Sequence, residues 1–127
     1  MLRGNRGEWS EPYAFLKLLG DGRIYAADAD LHKIESMYFP ILKVIGEFMD
    51  DRRYEYCLDK VGKVAIYFNS EKLNEMDTSV FRREASKLYD AIINARGPSF
   101  AVESTEAFLK SVKRTKLKMD SDHKADI

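Results

Sequence analysis

Apolar residues recur at steps of three and four along two parts of this chain, and between them they alternate or cluster in short blocks. Near the start, Tyr13, Leu16 and Leu19, with Phe15 and Leu18 beside them, form stripes at helical spacing. Ser10 is a good N-cap, Pro12 is tolerated in a first turn, and Gly20-Asp21-Gly22 supplies a glycine stop, so a helix is expected from Ser10 to about Leu19. Arg23 to Ala27 reads as a short strand, followed by the polar turn Asp28-Ala29-Asp30. Three β-prone segments follow. Tyr38 to Ile45 contains Pro40, which places it near an edge or a strand start. Arg52 to Cys57 alternates charged and apolar residues, and Val64 to Phe68 is a continuous apolar run suited to a buried strand. With Asp59 to Lys63 as a hairpin connection, the block predicts a small antiparallel meander.

From Asp77-Thr78-Ser79 the period returns to that of a helix. Phe81, Ala85, Leu88, Tyr89, Ile92 and Ile93 share a stripe that Gly97-Pro98 ends, and a further helix is expected from about Ser104, with Phe108, Leu109 and Val112 facing the core. These stripes read as core rather than as a ligand box. The expected class is α+β: helices packed on a small, mainly antiparallel sheet, in one domain over residues 1–127. The residues from Lys118 onward turn polar and stop at Asp126-Ile127, which reads as the first step of a strand. The expectation is therefore an amino-terminal part of a longer protein, cut as another strand begins near residue 126.

Composition narrows the class. With 45% hydrophobic and 33% charged residues over 127 positions, the chain can bury a core and is not disordered. No apolar run approaches the roughly 20 residues of a membrane helix, and the first residues lack the apolar centre of a signal peptide, so a cytoplasmic protein away from membranes is expected. The single cysteine, Cys57, excludes an internal disulfide and a cysteine-built zinc site, and its neighbours mark it as a small apolar strand residue rather than a nucleophile. The net charge of zero argues against a uniformly basic nucleic-acid binder. The cations are unevenly spread, however. Lys110, Lys113, Arg114, Lys116 and Lys118 follow one another with no acid among them, a pattern that suits phosphate contacts as well as a solvated helix face.

Two acids stand out as candidate chemistry. Glu8 and Glu11, three residues apart at the first helix start, lie on one face if the turn is helical, and either complements the positive end of the helix dipole. By themselves they describe a well-capped helix. Asp28 and Asp30 resemble the start of a calcium loop, but the glycine and glutamate that such a loop needs do not follow at the required offsets. His32 and His123 are isolated histidines and read as solvent-exposed or core residues rather than ligands.

The run Arg6-Gly7-Glu8-Trp9-Ser10-Glu11, continued by Tyr13 to Leu19, by Gly22 to Asp28 and by Tyr38-Phe39-Pro40-Ile41, resembles the amino end of HpaII-type restriction endonucleases; Lys124 to Ile127 extends the likeness weakly. The resemblance implies a type II enzyme of the PD-(D/E)XK class that cuts double-stranded DNA at CCGG with Mg²⁺ held by carboxylates. In that pattern a glutamate on an early helix, often in a Lys-Gly-x-x-x-Glu setting, matches Glu11 after Gly7, with Arg6 in place of the lysine. An aspartate opening the first catalytic strand matches Asp126. Glu11 and Asp126 are thus the implied metal-binding and catalytic residues, with Lys110, Lys113, Arg114, Lys116 and Lys118 as implied DNA contacts. The lysine of the next strand has no counterpart, so the chain by itself is expected not to cleave. A cognate DNA methyltransferase is the implied system partner, and the resemblance allows a homodimer. The alternative is a non-enzymatic DNA- or protein-binding module left from such an enzyme.

Overall fold

A computed structural model of the chain describes residues 1–41, 43–49 and 52–117. Asp126, Lys118 and His123 lie outside the described residues.

The described chain is α+β: α1 (Arg6–Asp21), β1 (Arg23–Ala27), β2 (Lys33–Pro40), β3 (Lys43–Met49), β4 (Arg52–Cys57), β5 (Lys63–Phe68), β6 (Glu71–Asp77), α2 (Thr78–Asn94) and α3 (Glu103–Ser111). The strands form two antiparallel sheets, a ribbon of β1 and β2 and a four-stranded meander in the order β3-β4-β5-β6. No helix among the described residues is long and apolar enough to cross a membrane.

The first helix starts four residues earlier than its apolar stripes predict. Asn5, not Ser10, is the N-cap: its side chain accepts from the Glu8 N–H at 2.8 Å, and Glu8 Oε1 accepts from the Asn5 N–H at 3.1 Å. This reciprocal pair is a capping box and satisfies two otherwise orphaned donors. Ser10 sits inside the helix and donates its hydroxyl to the Arg6 carbonyl at 2.8 Å. Pro12 is likewise internal and buried, beyond the first turn. The stop is where the glycines put it. Gly22 takes the left-handed conformation and its N–H closes onto the Leu18 carbonyl at 2.8 Å.

Pro40 divides the expected Tyr38–Ile45 strand. Its ring removes a ladder donor, so β2 ends there and the chain changes sheets before β3. The Ile41 N–H, the next donor along, goes to the Gly22 carbonyl at 2.9 Å and ties the exit of the ribbon to the end of α1. The apolar pattern does not predict Lys33 to Met37 of β2, of which only Tyr38 to Pro40 falls in the expected strand, nor the polar edge strand β6, whose first four residues are exposed. Charged side chains on an edge discourage pairing with another chain, which is a reason for an edge strand to look unlike a strand.

The core lies where α1 and α2 cover the meander. Trp9, Phe15, Leu16 and Leu19 from α1 meet Tyr54 and Tyr56 of β4, Val64 and Ile66 of β5, and Phe81, Ala85 and Leu88 of α2. Phe15 stands edge-on to Tyr56 at 5.0 Å between ring centroids, so α1 and the sheet are in direct contact beneath Glu11. The two helices approach closely at Gly20, whose carbonyl accepts from Arg82 Nη1 at 2.7 Å.

Candidate metal and DNA-contact site

The amino end of α1 is fixed from three sides. Gly4 exchanges two backbone hydrogen bonds with Phe100, both 3.0 Å. The Trp9 indole N–H donates to the Phe100 carbonyl at 3.0 Å, and the two rings stack. Arg6 donates to the Ile92 and Ala95 carbonyls at 3.1 and 2.8 Å, which places a cation on the carbonyl end of α2, where the helix dipole favours it. Arg6 is thus committed to holding two helices together.

On this fixed turn the two candidate acids separate. Glu8 is occupied by the capping box. Glu11 is exposed, and among the described residues no hydrogen bond or ion pair holds its carboxylate. Phe15 lies one turn further along the same face of α1, and the guanidinium of Arg114 rests 5.0 Å from its ring centroid. Arg114 is buried, which draws its ionisation down to about 10, while the Tyr56 hydroxyl and the Glu11 carboxylate act in the opposite direction. A carboxylate open to solvent offers the oxygen-donor chemistry that Mg²⁺ requires, while the buried guanidinium nearby opposes a further cation there. It could supply one ligand.

The basic run folds into two different environments. Lys110 is exposed at the last turn of α3, and Lys113 and Lys116 are half-buried. Arg114 points inward: its Nε donates to the Lys116 carbonyl at 2.9 Å and its Nη2 to the Leu117 carbonyl at 2.6 Å. The reversal begins at Lys113, in the left-handed conformation at φ 69°, directly after α3. Tyr56 donates its hydroxyl to the Val112 carbonyl at 2.6 Å, and burial raises its ionisation far above the usual tyrosine range.

Asp28, Asp30 and His32 form the one group of three metal-type donors among the described residues, with ligand atoms within 4.8 Å of one another and all three residues exposed. Asp28 Oδ1 accepts from the Asp30 and His32 N–H groups, both at 2.9 Å, so this carboxylate builds the β1–β2 turn. Cys57 closes β4 as a buried thiol.

Comparison with known proteins decides the lineage. The family model described as HpaII restriction endonuclease matches residues 5–127. The chain belongs to the HpaII restriction endonuclease family. It is 38% identical over 128 residues to the type II restriction enzyme HpaII of Haemophilus parainfluenzae, an alignment that covers 98% of this chain and 34% of that enzyme. The chain thus spans about a third of the length of this HpaII relative. No solved structure matches it significantly. Sequence reasoning missed the burial of Arg114. The Asn5 cap was legible in Asn5-x-x-Glu8, a capping-box spacing.

Proposed function

We propose that this chain is the amino-terminal part of a type II restriction endonuclease that hydrolyses phosphodiesters of double-stranded DNA at CCGG with Mg²⁺, and that the 127-residue stretch does not cleave by itself. The observation that carries the reading is the exposed Glu11 carboxylate, outside the capping box on a fixed helix start, in a chain of this family. Glu11 and Asp126 would hold the metal. When bound, the ion would polarise the scissile phosphate and acidify an attacking water. The protein's own part is to hold the backbone that carries Glu11: the capping box, the Trp9–Phe100 contact and Arg6 prevent the first turn of α1 from fraying.

Lys110, Lys113 and Lys116, followed in sequence by Lys118, are the proposed phosphate contacts, giving affinity and register rather than base selection. A cytoplasmic location, a paired methyltransferase and a homodimer belong to the same reading.

The test is cleavage of a duplex carrying CCGG by the longer enzyme that contains this stretch. Glu11→Ala is expected to lower the rate strongly and Asp126→Ala to abolish it. Undiminished cleavage by Asp126→Ala would refute the assignment. Duplex binding by the 127-residue chain that does not weaken as salt rises would favour the protein-interaction alternative, because phosphate contacts release counterions.

A further inference from the structure

The β1–β2 ribbon stands apart from the rest of the fold. No described side chain between Arg23 and Pro40 belongs to the buried core or packs against it, and Ile24, Leu31, Met37 and Tyr38 are exposed. A two-stranded hairpin is marginal by itself in water, so a covering partner is its natural complement. The ribbon carries a chain of rings and cations. The Arg23 guanidinium lies 4.4 Å from the centroid of the Tyr38 ring, Tyr38 meets Tyr25 at 5.9 Å, and Lys33 Nζ lies 4.5 Å from the Tyr25 centroid. Beside these tyrosines the register slips and leaves Glu35, Ser36 and Met37 of β2 without a β1 partner, a bulge of the kind that re-aims side chains. Arg23 also differs from arginines elsewhere in the fold. Arg3, Arg6, Arg82 and Arg114 give side-chain N–H groups to backbone carbonyls. Among the described residues the Arg23 side chain gives none: the ring steadies its guanidinium without consuming a donor, and the residue is exposed.

We propose that this ribbon enters the major groove of the DNA duplex and that Arg23, steadied on Tyr38, reads a guanine edge. The major groove admits a two-stranded ribbon, and guanine presents there two acceptors, N7 and O6, that a guanidinium fork matches. The charge on the hairpin decides between base and backbone. Asp28, Asp30 and Glu35 outnumber Arg23 and Lys33, so the ribbon as a whole is unsuited to gripping phosphates. Base edges offer donors as well as acceptors, and a carboxylate accepts from the cytosine amino group. A hairpin carrying both signs therefore fits a site built of C·G pairs. This rests on the CCGG reading above. It gives the ribbon the base selection that lysine contacts to phosphate cannot supply.

The experiment measures the affinity of the 127-residue chain for three duplexes over a range of salt. One carries CCGG, one has AATT in its place, and one carries CCGG with 7-deazaguanine, which lacks N7. The parent is expected to prefer CCGG and to bind the deaza duplex about fivefold more weakly, the lower end of what a bidentate contact is worth. Arg23→Met should lose about tenfold on CCGG, stay parent-like on AATT and no longer distinguish the deaza duplex. Tyr38→Phe keeps the ring and should match the parent, whereas Tyr38→Ala should lower the CCGG preference with Arg23 still present. The deaza duplex tests the parent itself, so the comparison survives if a variant does not fold. An equal loss by Arg23→Met on all three duplexes, with a salt slope shallower by about 0.9, would overturn the proposal in favour of a phosphate contact. An unchanged CCGG preference in Arg23→Met would overturn it and leave the CCGG reading standing, and an unchanged preference in Tyr38→Ala would overturn the part given to the ring. A parent that binds duplexes without preferring CCGG would overturn the proposal but not the lysine contacts. No duplex binding by the parent would overturn both.

Discussion

Leu117 occupies the space that a side chain at Gly4 would need. The contact joins the first residues of the chain to the last described one, and it makes Gly4 a packing position rather than a flexible one. Gly4→Ala is expected to destabilise the fold by about 1–2 kcal/mol, the usual cost of overpacking. Combining it with Leu117→Ala should give a loss smaller than the sum of the two single losses, because the clash is removed along with the leucine. Urea unfolding of the two single variants and the double variant checks this.

Gly20→Ala should be worse. A Cβ there would come within 2.8 Å of the Arg82 backbone nitrogen and 3.0 Å of its Cα, and backbone cannot swing aside as a leucine tip can. The expected loss is about 3 kcal/mol, at the upper end of overpacking costs. It should be read as a clear drop in melting temperature with the helix content retained below it.

Asn5→Ala breaks the capping box from one side and Glu8→Ala from the other. Asn5→Ala is expected to cost about 1 kcal/mol. Glu8→Ala should cost less, because the Asn5 side chain still caps the Glu8 N–H. If Glu8 were instead the metal-binding acid, Glu8→Ala would lower Mn²⁺ affinity as strongly as Glu11→Ala does. Parent-like Mn²⁺ affinity in Glu8→Ala is the expected result.

Cys57 should resist alkylation. Burial first, and then the negative charge of Asp59, raise its thiol above the ordinary range, so less thiolate is present at any given pH around 8 than for a free cysteine. Native protein treated with iodoacetamide at that pH should remain unmodified over the time in which urea-unfolded protein is labelled completely. Mass spectrometry reads both.

The parts of the fold that were legible in the sequence are those whose side chains face the core. β5 and α2 show their burial as a continuous apolar run and as a 3.6-residue stripe, and both elements form as expected; β1 also forms as expected, although none of its residues is buried. The first part of β2 and all of β6 were illegible for one shared physical reason: their pairing is made by backbone, while many of their side chains face water. The start of α1 was misread because Ser10, Pro12 and the first apolar stripe satisfy the rules for a helix start, whereas the real cap lies at Asn5, ahead of any stripe. At the site, the sequence singled out Glu11 through a family pattern, and the fold separates it from Glu8 by engaging Glu8 in the cap. Arg114 could not be separated from Lys110, Lys113 and Lys116 by composition. Only the left-handed reversal at Lys113 turns it inward, and a lysine at positive φ leaves no trace in a charge pattern.

The contacts that fix the amino end of α1 come from the far end of the chain: Phe100 pairs with Gly4 and takes the Trp9 N–H, and Leu117 packs against Gly4. During synthesis these partners emerge well after α1. The amino end of that helix is therefore locked only after a closure spanning nearly the whole described chain. Such long-range closures slow folding. A nascent chain halted before Phe100 would carry Trp9 without its partner, and the acid that the fold takes such care to hold would stand on a frayed turn.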